Sequence, residues 1–247
     1  KMIFEELNKF NNVVFTEDGH TYTIDGEPAT SVTTFIGKFK KPFEKDFWAA
    51  RTAQKENKEL QDILDKWDSI SLRACNKGSK FHAFAENYIN NKVLPNIIYD
   101  FDIDMKAYDK IESHFLKFYE DSKENLIPIS SELCVGSSQL GICGMVDQLY
   151  YSKTLESLVI FDWKTNKRMN YKSKFKNNML EPISHLPECE FTTYSLQLSL
   201  YKYIIELETK LDIKKCFIVW FNEKNDSYKL IECADYKKEI VNMLDYN

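Results

Sequence analysis

The chain has 247 residues, 43% of them hydrophobic and 14% aromatic, with 7 glycines and 6 prolines; it can bury a substantial core and is too poor in turn formers for long linkers or low-complexity tracts. Its formal net charge of −5 and pI near 5.5 exclude nucleic-acid binding by bulk electrostatics, so such a role would need local basic patches and bound cations. No apolar run reaches the ~18 residues of a membrane span, the first residues lack a signal-peptide pattern, and the 6 scattered cysteines form no C-x-x-C pair, which predicts reduced thiols rather than disulfides, zinc or an iron–sulfur cluster, in a cytoplasmic protein with a mitochondrial or nuclear one as the alternatives. The Lys-, Asn-, Ile- and Phe-rich composition suits the AT-rich genome of a bacterium or phage, and hence a bacterial or phage-infected cell.

In chain order, Val13-Val14-Phe15 and Thr21-Tyr22-Thr23-Ile24 flank the turn-prone Glu17-Asp18-Gly19-His20, which predicts a small hairpin. Asp25-Gly26-Glu27-Pro28 reads as a further turn, and Ser31 or Thr33 as the cap of a helix leading into Phe35-Ile36. Helical spacing recurs from Phe43 to about Lys58, in Leu60-x-x-Ile63-Leu64-x-x-Trp67, from Ser69 to Asn91 and from Met105 to Asn125. Beyond that the pattern changes to strands at Ile127–Ser137, Ile142–Tyr151 and Leu158–Trp163, a helix at Thr192–Leu207, and strands at Lys214–Phe221 and Tyr228–Glu232. The expected fold is a mixed α/β core with a helical N-terminal elaboration. The elaboration would span residues 1–125 and the core 126–247, together one compact unit.

Chemistry collects at the strand ends. Asp147 follows Gly144-Met145-Val146 within a predicted strand, where an acid is disfavoured. In Phe161-Asp162-Trp163-Lys164-Thr165, the two-residue period of a strand projects Asp162 and Lys164 to one side and Trp163 to the other. Charges buried there need partners, and two carboxylates on neighbouring strands repel unless a cation lies between them. The three side chains therefore suit Mg²⁺ or Mn²⁺ with a lysine beside it; a structural Asp–Lys ion pair is the plainer alternative. His82 and Glu86 lie four apart on a helix, as do Gln197 and Tyr201.

Taken in order, Gly78-x-x-x-His82-x-x-x-Glu86, Gly144-x-x-Asp147, Asp162-Trp163-Lys164-Thr165 and Gln197-Leu198-x-x-Tyr201 resemble the RecB-type branch of the PD-(D/E)XK nucleases, a branch that includes phage-encoded exonucleases and the mitochondrial genome maintenance exonuclease. The resemblance spans about residues 78–205 and implies a restriction-endonuclease-like core, a mixed central sheet flanked by helices. It implies Asp147, Asp162, the Trp163 carbonyl and His82 as metal ligands, Lys164 as the group orienting the attacking water, and Gln197 and Tyr201 as helical residues near the active site and DNA. Glu86 would stand one turn from His82 in a supporting position, and Glu132, on the preceding strand, would face the same pocket. The cysteine cluster of the iron–sulfur subset is missing.

The implied activity is metal-dependent hydrolysis of DNA, as an exonuclease on single-stranded or end-bearing DNA in replication, recombination or repair, with a protein partner in such a complex and no membrane. A structure-selective endonuclease and a catalytically silent DNA- or partner-binding module are the alternatives. DNA contact is expected from Lys167, Arg168, Lys172, Lys174 and Lys176, interleaved with Met169, Tyr171 and Phe175 and free of acids. Lys38, Lys40, Lys41 and Lys45 form a weaker second patch.

Overall fold

A computed structural model of the chain describes residues 2–91, 104–173 and 175–246; Lys174, part of the basic run, lies outside the described residues. The predicted hairpin forms from β1 (Val13–Thr16) and β2 (Thr21–Ile24). The expected turn after it is confined to Asp25 and Gly26, both at positive φ, because residues from Glu27 onward form β3 (Glu27–Ser31), antiparallel to β2. Pro28 masked this strand: it gives up a ladder donor, and β3 meets its other neighbour only later, at Thr30 and Ser31. Ser31 is the helix cap, its Oγ accepting the Thr34 N–H at 3.1 Å.

The helical region follows the predicted spacing with one change. Lys45–Glu56 forms one helix, but the segments around Leu60–Trp67 and Ser69–Asn91 are a single 32-residue helix, Leu60–Asn91. Neither Gly nor Pro interrupts them between Trp67 and Ser69, so nothing ends the first before the second begins. We number α1 (Met2–Leu7), α2 (Val32–Gly37), α3 (Lys45–Glu56), α4 (Leu60–Asn91) and α5 (Met105–Ser122). There follow β4 (Leu126–Ser137), β5 (Ile142–Ser152), β6 (Ser157–Lys164), α6 (Glu190–Glu208), β7 (Ile213–Trp220), β8 (Lys229–Glu232) and α7 (Lys237–Tyr246). The short α1 and the C-terminal α7 have no counterpart in the sequence reading.

Among the described residues, eight strands join one mixed sheet. Strand β4 runs antiparallel to β5 along its whole length. The other edge of β5 is shared: β3 pairs in parallel at Ile142 and Cys143, and β6 pairs antiparallel from Gln148 to Ser152. Residues 144–147 of that edge therefore lie between two partners, in a gap of the sheet. Helices cover both faces, as the period of β6 requires. Leu158 and Ile160 join the cluster with α2, α6 and α7, whereas Val159, Phe161 and Trp163 join the aromatic cluster with α4 and α5. The first cluster runs from Leu7 to Met243 and so takes residues from both ends of the chain.

Candidate metal centre

The gap in the sheet is where the predicted residues meet. At its end Asp147 stands one position past the last β5–β6 pair, Gln148 with Phe161. Its Oδ2 accepts the Trp163 N–H at 2.7 Å, replacing the ladder bond that the separating strands no longer make. Trp163 turns into the aromatic cluster, with Phe115 and Phe118 edge-on at 5.8 and 5.6 Å. Asp162 and Lys164 face the opposite side, as the two-residue period predicts. This aromatic packing fixes the strand end from which both charged side chains project.

Helix α4 packs Phe81, Phe84 and Ala85 into that same cluster. Its His82 reaches the gap, with Nδ1 at 3.5 Å from Asp147 Oδ1 and 3.6 Å from Glu132 Oε1. Its Nε2 lies 3.2 Å from the Trp163 carbonyl oxygen. Glu132 comes from β4, where Ser131 pairs with Gln148 and Leu133 with Val146, so that Glu132 stands opposite Asp147. Its backbone takes φ +46° in mid-strand, a left-handed conformation that costs a non-glycine residue about 1–2 kcal/mol. Its Oε1 is buried and accepts no hydrogen bond. A strained backbone that delivers an unsatisfied carboxylate to a histidine and an aspartate marks this point as a binding position. Ligand atoms of His82, Glu132 and Asp147 all lie within 4.8 Å of one another.

Beside this group Lys164 Nζ contacts Asp162 Oδ2 at 2.5 Å, a close ion pair without the alignment of a hydrogen bond. The plainer sequence alternative, an Asp162–Lys164 ion pair, is thus present in the structure, but it accounts for only one of three carboxylates. Asp147 and Asp162 are buried, and among the described residues the ion pairs of Glu132, Asp147 and Asp162 are made with His82 and Lys164. Burial lifts the Asp162 carboxyl to about 6 against the pull of Lys164, with Asp147 adding to the rise. It lifts Asp147 as well, against His82 and Lys164. Burial pushes the His82 imidazole down, but Asp147 and Glu132 outweigh it and hold the ring at about 9. Lys164, too, is held above the ordinary lysine range by Asp162 and Asp147 despite its burial. The rises at His82 and Lys164 reflect the excess of carboxylates around them, which a proton on His82 reduces but does not cancel.

A divalent ion fits this donor set. The donors are two carboxylate oxygens and one imidazole, a set that several divalent ions accept. Around such an ion, ligand atoms stand roughly 3 Å apart when adjacent and about 4 Å when opposite, so modest closure of the triad meets the requirement. His82 would ligate through Nδ1 with Nε2–H donating to the Trp163 carbonyl, an outer contact that fixes the ring. In this arrangement that carbonyl, expected as a ligand, orients the histidine, and Asp162 stays with Lys164 while Glu132 completes the triad.

Helix α6 closes the other side. Gln197 Nε2 donates to Tyr201 Oη at 3.1 Å, and the Tyr201 ring fills the space left by Gly144. A Cβ at Gly144 would lie 2.6 Å from Tyr201 Cε1, so the Gly144 of the sequence motif serves the tyrosine of the helix motif. Sequence reasoning missed Tyr194, whose ring lies beneath Lys164 Nζ at 4.8 Å. Its signal was available: Tyr194, Gln197 and Tyr201 recur at the three- and four-residue spacing of one helix face. Glu86, one turn beyond His82, is half-buried and outside the triad. Lys167, Arg168, Lys172 and Lys176 are exposed on the loop after β6, together with Tyr171 and Phe175. Met169, read as part of that interleaved surface, is buried. From the second patch, Lys45 pairs with Asp68 at 2.5 Å.

Neither a family model nor a curated protein matches the chain. Among solved structures, one described as the crystal structure of SSO0001 is 11% identical, with 99% of this chain and 81% of that chain covered and a TM-score of 0.31, a likeness too slight to bear on fold or function.

Proposed function

We propose that the chain is a divalent-metal-dependent nuclease that hydrolyses phosphodiester bonds in DNA, built on a PD-(D/E)XK core. The observation that carries this reading is the His82–Glu132–Asp147 triad at the gap of the sheet, directly beside the Asp162–Lys164 pair. A phosphodiester resists attack because its own charge repels the nucleophile. A bound divalent ion supplies charge neutralisation and acidifies its water. The protein's own groups set the geometry. Asp147, Glu132 and His82 hold the cation, and the Trp163 carbonyl orients His82. Lys164, a lasting cation here, donates from Nζ toward the attacking water or the phosphoryl oxygens, with Asp162 and the Tyr194 ring fixing its position. No side chain of the site needs to act as a dedicated base.

The test is digestion of end-labelled linear and closed circular DNA, single- and double-stranded, with Mg²⁺, Mn²⁺ or EDTA, beside Asp162→Ala and Lys164→Ala. Metal-dependent cleavage by the parent chain and a loss of about 100-fold or more in both variants are expected. Cleavage in EDTA, or full activity in both variants, refutes the mechanism. Sparing of closed circles supports the exonuclease form expected from the sequence, and their cleavage an endonuclease.

A further inference from the structure

Helix α3 and the loop after β6 bring a half-buried tryptophan, Trp48, and an exposed phenylalanine, Phe175, together across 127 positions of sequence. Trp48 and Phe175 stack nearly parallel, with centroids 6.1 Å apart at an interplanar angle of 24°. Phe175 is 64% exposed, and its neighbour in α3, Phe47, is 55% exposed and edge-on to Trp48 at 5.3 Å. The Arg51 guanidinium lies 5.6 Å from the Trp48 ring centre. Phe47 and Phe175 keep more than half of their surface accessible, and apolar area of this size next to other rings marks a contact surface.

Phe175 also lines a cleft of about 360 Å³, together with Lys40, Arg168, Lys172 and Tyr194. The Tyr194 ring lies 4.8 Å from Lys164 Nζ, so one lining residue of the cleft, Phe175, belongs to the stacked rings and another, Tyr194, stands beside the candidate catalytic lysine. Two acids, Glu188 and Glu190, line it as well. Glu190 is engaged by the Asn170 N–H at 3.3 Å, and Lys40 faces both. Lys167 and Lys176 add exposed cations on the same loop. On an acidic chain, cations concentrated next to exposed aromatic rings form the local patch that bulk charge does not provide.

Resting on the nuclease reading, we infer that Trp48 and Phe175 form a base-stacking platform that feeds an unpaired DNA strand through this cleft to Lys164. Rings can stack on bases only where the bases are unpaired, and the cations track the phosphates between them. A duplex keeps its base faces covered and gains only the phosphate contacts. The platform thus sets a preference for single strands without reading their sequence.

The experiment measures anisotropy of a labelled dT12 strand and of a hairpin duplex in EDTA, with parent chain, Trp48→Ala, Phe175→Ala and Trp48→Phe. Mn²⁺-dependent hydrolysis of bis(p-nitrophenyl) phosphate, too small to reach the platform, is followed in parallel. Each alanine variant should bind dT12 about tenfold more weakly, Trp48→Phe should bind within about threefold of the parent, and duplex binding and small-diester turnover should be unchanged. Unaltered dT12 affinity in both alanine variants, or an equal loss for the duplex, overturns the platform. Absence of metal-dependent turnover in the parent chain would instead sink the nuclease reading, which separates the two failures.

Discussion

Glu132→Asn separates the structural cost of the site from its use. Glu132 holds φ +46° in mid-strand, and asparagine is among the residues that tolerate this region best. Relief of the backbone should therefore return about 1 kcal/mol of the 1–2 kcal/mol that a left-handed non-glycine residue costs. The electrostatic consequences nearly cancel. Glu132 attracts protonated His82 from 3.6 Å and repels Asp147, with ligand atoms within 4.8 Å. At these separations and an effective dielectric near 20, each interaction is worth about 4 kcal/mol with opposite sign. The buried Oε1 without a hydrogen-bond partner is removed as well. The metal-free variant should gain about 1 kcal/mol, a rise in Tm of about 2–4 °C for a chain of this size. Its Mn²⁺ affinity should fall at least 10- to 100-fold, as when even an outer contact of a metal site is lost. Thermal unfolding in EDTA and calorimetric Mn²⁺ titration at pH 7.5 measure the two quantities. A destabilised variant that keeps its Mn²⁺ affinity would refute the reasoning, because Glu132 would then support the strand and not the ion.

Two further predictions concern the same centre. In EDTA the proton on His82 stabilises the folded chain, because the ring is held at about 9, above the ~6.5 of free imidazole. That contribution is complete below about pH 6.5 and vanishes as pH rises through 9, and it amounts to roughly 3 kcal/mol at most. The parent chain should thus lose more stability than His82→Gln between pH 6 and 9.5, and Mn²⁺ binding at pH 7.5 should release close to one proton, read by calorimetry in buffers of different ionisation enthalpy; equal losses and no released proton would contradict the assignment. Gly144→Ala places a Cβ 2.6 Å from the Tyr201 ring, and overpacking of this kind costs about 1–3 kcal/mol; Tm should fall by roughly 2–12 °C, with a much smaller effect of Gly144→Ala in a Tyr201→Ala background than in the parent, and an unchanged single variant would show that the ring gives way freely.

How far the sequence exposed all this depends on whether a feature is local. The strands β4 to β7 and the helices α5 and α6 were legible because hydrophobic period and turn residues lie within each segment, and so was the projection of Asp162 and Lys164 away from Trp163, which follows from the period of one strand. Strand β3 was hidden by Pro28, whose cost disappears once the neighbouring strand meets β3 only beyond it. The length of α4 was hidden by the absence of any break signal. The division of labour in the site was less legible still. Sequence order puts Asp147 and Asp162 forward as paired ligands, yet the gap between β3 and β6 on the edge of β5 brings Glu132 and His82 to Asp147 and leaves Asp162 with Lys164. Nothing within residues 128–137 announces φ +46° at Glu132; that conformation arises where β4 passes the point at which β5 lacks a partner on its other edge. Tyr194 was missed for the opposite reason, since its spacing from Gln197 was visible but a ring on an apolar helix face is ordinarily core, and only the placement of Lys164 above it distinguishes the two. A candidate metal centre made from α4, β4, β5, β6 and α6 is thus a property of the gap in the sheet: each side chain was nameable from its own segment, but its role depends on which strands part there.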